Sequence, residues 1–205
     1  MFFAEYSRRK QVRWYDTNRI PDLSLIQNAL EQTYEAAASK QNLIPYKVYV
    51  IANNTELNQG LYDLSKGGTG TVTANTNLLT APYQFIYTAR LVTDACEKVQ
   101  SDMNDYGHIQ PPCDPEMYKN PTATQGVCIE VGIHATILSK ILIEQGIDVS
   151  YTRCFDSDKD KWSDRGLGFV EDDVYLLMSA GYADPDKYCE APETKPPFEN
   201  VIKYY

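Results

Sequence analysis

Ser39-Lys40-Gln41-Asn42-Leu43-Ile44-Pro45-Tyr46 divides a helical pattern from a strand pattern, and the reading of that boundary decides the fold. Upstream, from Asp22 to Ala38, Leu25, Ile26, Ala29, Leu30, Thr33, Tyr34 and Ala37 recur at the spacing of one helical face, with Pro21-Asp22 as start signals. An amphipathic helix is predicted there. Downstream, Tyr46-Lys47-Val48-Tyr49-Val50-Ile51-Ala52 is rich in aromatic and β-branched residues and predicts a strand. In the turn between them, Ser39, Asn42 and Pro45 can do purely local backbone work. The same turn can also offer backbone groups and the Asn42 amide to a flat heterocycle, because an amide both donates and accepts.

Moving outward, strand compositions return at residues 83–88, 147–152 and 174–179. Helical spacing returns at Ile129, Ile133, Ile137, Leu138, Ile141 and Leu142, with Gly146 where a helix C-terminal glycine belongs. Strands and long helices interleave, so the class is α+β or α/β. One domain over residues 1–205 is the expectation for this length. Residues 94–126 are polar, proline-containing and weakly periodic, which suits a surface excursion or lid.

Composition narrows the functional classes. A net charge of −9 disfavours a broad electrostatic grip on nucleic acid. The charge is uneven: residues 1–103 carry ten basic and ten acidic side chains, the remainder nine and eighteen, so the N-terminal part is locally basic. Five cysteines, odd in number and never in a Cys-x-x-Cys pair, indicate neither a disulfide framework nor a zinc site. Two histidines offer little from which to build a metal centre, and none is expected. No uninterrupted apolar run has bilayer-spanning length, and the first residues lack a signal-peptide core, so a cytoplasmic protein without membrane association is expected.

Four cations in six positions, Arg8-Arg9-Lys10-Gln11-Val12-Arg13, read either as a solvated basic stretch or as an anion clamp, since guanidinium forks match phosphate geometry. Asp156-x-Asp158-x-Asp160 begins like a calcium loop but has Lys161 and Leu167 where Gly and Glu belong, and reads as a solvated acidic loop. Gly67-Gly68-Thr69-Gly70-Thr71 lacks the ending of a phosphate-cradling loop and reads as a turn. His134, near an apolar helix face, reads as a satisfied structural histidine. Nothing ranks the sixteen tyrosines as proton donors.

Taken in order, these segments resemble the nitroreductase family, whose members open with Arg-Arg-Ser-Ile-Arg-x-Phe and follow the first helix with Pro-Ser-x-x-Asn-x-Gln-Pro-Trp. The counterparts are Arg9-Lys10-Gln11-Val12-Arg13-Trp14-Tyr15 and residues 38–46. The resemblance continues through Ala81-Pro82 before a strand, Glu130-Val131-Gly132 opening the long helix, and Gln145-Gly146-Ile147. It extends through Tyr151-Thr152-Arg153-Cys154-Phe155-Asp156, Ser179-Ala180-Gly181-Tyr182 and Lys195-Pro196-Pro197-Phe198-Glu199-Asn200-Val201-Ile202.

What the resemblance implies is a nitroreductase-like α+β fold, with a central, mostly antiparallel sheet flanked by helices in an intertwined homodimer. It implies an FMN-dependent oxidoreductase that passes hydride from NADH or NADPH to a small acceptor such as a nitroaromatic, a quinone or a flavin. Arg9, Lys10, Gln11 and Lys195 match positions that hold the FMN phosphate and ribityl chain, and Arg13 a position that is sometimes a ligand. Ser39 and Asn42 match the segment contributed to the partner's flavin. Cys154 matches a position whose backbone N–H points at flavin N5, with Arg153 nearby. The sequence departs from the family at Lys10, Gln11, Ile44 (for Gln), Lys195 (for Arg) and Arg153 (for Glu). These departures support an alternative, a flavin-binding scaffold without efficient turnover. Arg153 has two readings: a cation beside the flavin, or a partner for Asp156, Asp158 or Asp160.

Overall fold

A computed structural model of the protein describes residues 11–69, 75–92, 121–187 and 196–203. In chain order the elements are α1 (Leu23–Ala36), a 3-10 turn (Lys40–Asn42), β1 (Tyr46–Ala52), α2 (Thr55–Thr69), α3 (Asn77–Thr80) and β2 (Tyr83–Ala89). They continue with α4 (Pro121–Glu144), β3 (Asp148–Thr152), α5 (Lys159–Asp164), β4 (Val174–Gly181) and α6 (Phe198–Val201). The four strands form one sheet in the order β1-β2-β4-β3, antiparallel at every step. The class is therefore α+β.

Helices cover both faces, which is why β2 is buried along its whole length. On one face Phe85, Tyr87, Val149, Met178 and Ala180 pack with Ile26 and Ala29 of α1 and Val131, Ala135 and Leu138 of α4. On the other, Ile51, Ile86 and Leu177 pack with Leu61 and Leu64 of α2 and Trp162 of α5. Neighbours in sequence such as Phe85 and Ile86 thus serve opposite cores, as the two-residue period of a strand requires.

Asp22 caps α1 by accepting from the Ser24 N–H at 2.8 Å. Gly146, at φ +76°, ends α4 in the left-handed conformation that favours glycine, and the Ile147 N–H returns to the Leu142 carbonyl at 2.9 Å. Three expectations are corrected. Gly67–Thr69, read as part of a turn, form the last turn of α2, whose apolar residues are only Leu57, Leu61, Tyr62 and Leu64 in an otherwise polar run. The acidic triplet is not simply a solvated loop: Asp158 caps α5 through the Asp160 N–H at 3.1 Å, and Asp156 pairs with Lys161 at 2.6 Å. Residues 121–126, read as the end of the lid, begin α4; the rest of that segment, residues 94–120, lies outside the described residues.

Within α4, Gln125–Glu144 is long and apolar enough, by length and composition, to cross a membrane. One face of the helix packs on the sheet, whereas Ile129 on another face is 63% exposed. A Cβ added at Gly126 or Gly132 would meet nothing within 4 Å. The apolar character of the helix therefore exceeds what the sheet consumes.

His134 is buried, with its Nδ1 3.1 Å from the Tyr87 hydroxyl and its ring edge-on to Tyr46 and Tyr87. It is structural, as the sequence suggested. Burial lowers its pKa from 6.5 to about 4, so the folded protein holds it neutral while the unfolded chain protonates it near 6.5. Its contribution to stability is whole above about pH 6.5 and is lost as pH falls towards 4, by about 3 kcal/mol at most. Urea melts at pH 7 and 4.5 should show a larger acid destabilisation in the wild type than in His134→Gln. Equal losses in the two proteins would refute this assignment.

Candidate functional site

β3 is an edge strand, and the N-terminal segment docks on its free side. The Gln11 Nε2 donates to the Tyr151 carbonyl at 2.6 Å, and the Tyr151 N–H reaches the Gln11 Oε1 at 3.4 Å. The side-chain amide therefore imitates a neighbouring strand. Further along, Tyr15 forms a bridge with Ala183, and the Asp16 N–H donates to the Tyr182 carbonyl at 2.8 Å. A Cβ on Gly181 would lie 2.6 Å from Pro82 and 2.9 Å from Tyr15, so only glycine admits this approach. Arg13 is half-buried on the same segment, and its carbonyl accepts from the Thr76 hydroxyl at 2.8 Å.

Beneath the strand lies a buried polar network. Asn77 Nδ2 donates to Thr152 Oγ1 at 3.1 Å and to Ser179 Oγ at 3.0 Å, and Ser179 Oγ donates to Gln84 Oε1 at 2.6 Å. The Tyr15 hydroxyl donates to the Ser179 carbonyl at 3.1 Å and lies 3.0 Å from Ser150 Oγ. Such networks rigidify what they join. Here they fix Thr152, the residue immediately before Arg153.

Beyond the last ladder pair of β3, Arg153 and Cys154 are exposed. Among the described residues, no acceptor meets the Cys154 backbone N–H. The Arg153 guanidinium lies 5.5 Å from the centre of the Phe155 ring, which packs edge-on against Trp162. Asp156 and Asp158 instead face Lys161, at 2.6 and 3.9 Å. Of the two readings of Arg153, the ion pair with the acidic triplet is therefore not the one found among the described residues.

The turn between α1 and β1 is held from two sides. Ser39 Oγ donates to Glu130 Oε2 at 2.7 Å and accepts from the Ile44 N–H at 2.8 Å, while the Lys40 N–H donates to Glu130 Oε1 at 3.1 Å. Opposite, Arg90 donates through Nε to the Ile44 carbonyl and through Nη2 to the Leu43 carbonyl, both at 2.8 Å. Asn42 and Ile44 have φ of +55° and +47°. Asn42 is exposed, and its amide makes no hydrogen bond to the described residues.

Gln11, Arg13, Arg153 and Cys154 are thus gathered at one edge of the sheet. Ser39 and Asn42 lie at the same end but beside β1, the opposite edge. Arg9, Lys10 and Lys195 lie outside the described residues. Sequence reasoning missed Arg90 and Asn77, and it noted Gln84, Ser179 and Glu130 only within motifs. Their partners are distant in sequence, and no periodicity betrays them. Among the described residues, no group of three or more His, Cys, Asp or Glu side chains could hold a metal ion.

No protein-family model matches the chain, and no curated protein matches it in sequence. Solved structures do. A nitroreductase-like protein from Streptococcus mutans aligns with a TM-score of 0.72 at 20% identity, covering 100% of this chain and 98% of that one. A protein from Exiguobacterium sibiricum assigned as a nitroreductase, in complex with FMN, gives 0.71 at 19% identity over 100% and 97%. One from Staphylococcus epidermidis assigned as an NAD(P)H:FMN oxidoreductase gives 0.71 at 16% over 100% and 96%. The fold implied by the sequence resemblance, the nitroreductase fold, is the fold this chain adopts.

Proposed function

We propose that the protein is an FMN-dependent oxidoreductase that moves hydride from NADH or NADPH to a small electrophilic acceptor, a nitroaromatic, a quinone or another flavin. The observation that carries this reading is the end of β3, where an open Cys154 N–H and the Arg153 guanidinium stand on a rigid strand beside the docked N-terminal segment. Such a donor set, cationic and without a neighbouring carboxylate partner for Arg153 among the described residues, fits a ring that gains negative charge on reduction. The FMN bound by the Exiguobacterium sibiricum neighbour supports the same choice of cofactor. FMN, when bound, supplies the two-electron redox chemistry, and the chain supplies orientation, electrostatics and solvent control. Gln11 sets the register of the N-terminal segment against β3, from which Arg9 and Lys10 would hold the phosphate, with Lys195 joining them from the far end of the sequence. Cys154 would offer its backbone N–H and Arg153 its charge to the ring.

A homodimer belongs to this proposal. Ser39 and Asn42 stand three inter-strand spacings, about 14 Å, from the edge that carries Cys154, so they suit a second flavin rather than the same one. The exposed apolar face of α4 at Ile129 and Gly132 offers the surface on which a second copy can close. The alternative, a flavin binder with little turnover, is favoured by Ile44, whose side chain packs against the core where the family resemblance would place a polar one.

The test is optical. Purified protein is expected to be yellow, or to become so with added FMN, and to bleach anaerobically with NADH or NADPH. Bound flavin that does not bleach favours the alternative. Protein that ignores added FMN overturns both.

A further inference from the structure

We infer that Arg90 and Glu130 are positioning residues for the proposed flavin site, holding the Asn42–Ile44 backbone in a conformation that Ile44 would not adopt unaided. The inference rests on the functional reading above and deepens it. A β-branched residue at positive φ is a genuine outlier, because its Cβ crowds the backbone, and such outliers persist only where the surroundings over-determine them. Ile44, at φ +47°, is over-determined. Its N–H is taken by Ser39 Oγ, itself fixed by Glu130, and its carbonyl is taken by Arg90 Nε.

Arg90 also grips the turn from its own backbone, its N–H donating to the Pro45 carbonyl at 3.0 Å, and its fork spans the Leu43 and Ile44 carbonyls. A turn needed only to join a helix to a strand could place glycine or asparagine at position 44 and dispense with such a clamp. This clamp instead leaves the exposed Asn42 amide unspent among the described residues, on a rigid support. Two charged side chains, 46 and 91 residues from the positions they grip, keep that amide preorganised.

The experiment is an FMN titration, with visible circular dichroism of the bound flavin, on the wild-type protein and four variants. Arg90→Met removes both donors and should weaken FMN at least tenfold and change the dichroic band, which a purely structural role would leave alone in folded protein. Arg90→Lys, with charge but no fork, should fall between, and Glu130→Gln should weaken binding severalfold. Adding Ile44→Asn to Arg90→Met should recover most of the loss, because asparagine tolerates the left-handed conformation. Should Arg90→Met not fold, Arg90→Lys and Glu130→Gln carry the same comparison. Wild-type affinity and dichroism in the folded Arg90 and Glu130 variants, or no recovery from Ile44→Asn, overturns the inference while leaving the proposed function standing. Wild-type protein that binds no FMN overturns both.

Discussion

Ile129→Lys is expected to give a folded monomer that no longer retains FMN, the two losses arriving together. Ile129 is 63% exposed, so a lysine there leaves the packing of the single chain intact. In a twofold dimer closed on α4, however, the substitution is made twice on one isologous surface and buries unpaired charge. A cost of about 3 to 5 kcal/mol corresponds to a dimer weakened on the order of a thousandfold. FMN retention should collapse with it, because Ser39 and Asn42 would then be lacking from each site. The open space at Gly126 and Gly132 marks where another backbone can approach. Light scattering, with flavin content measured on the same fractions, checks both halves. A monomer that still holds FMN tightly would sink the shared-site reading, and an undisturbed dimer would move the interface off α4. Extraction of the wild type only with detergent would instead point to a membrane for that helix face.

Much of this architecture was legible because it is local. Tyr46–Ala52 could be read as a strand to the residue, since its composition and the proline before it act within a few positions. The helix read from residue 22 to 38 is capped by Asp22 and ends at Ala36, a boundary that periodicity cannot fix. α2 escaped because its stripe of three leucines is diluted by polar residues and a Gly-Gly pair, and tertiary packing, not propensity, makes it a helix. The site was legible only as a list. Gln11 meets Tyr151 across 140 positions and Ser39 meets Glu130 across 91, contacts that exist only once the sheet has brought the edges into place. The same holds for Arg153. Nothing in the sequence could choose between a place beside the flavin and a partner in the acidic triplet; in the structure Lys161 pairs with Asp156, and the Arg153 guanidinium lies over Phe155.

That placement of Arg153 makes the redox potential the sharpest remaining test. A guanidinium kept out of the acidic triplet lends its charge to whatever lies beyond the end of β3. Reduction adds negative charge to a flavin, so a nearby cation stabilises the reduced form and raises the midpoint potential. Arg153→Glu should therefore lower it, by about 30 mV if the change in interaction is about 1.4 kcal/mol for a two-electron couple. Arg153 is exposed, so the difference between the two proteins should shrink in 1 M salt, where charges are screened within about 3 Å. Cys154→Ala should change little, because the proposed contact uses the backbone N–H and not the exposed thiol. Potentiometry on FMN-loaded protein decides between these outcomes. An Arg153→Glu potential equal to that of the wild type at low salt, or loss of flavin reduction in a folded Cys154→Ala protein, would mean that the strand end does not face the ring as proposed.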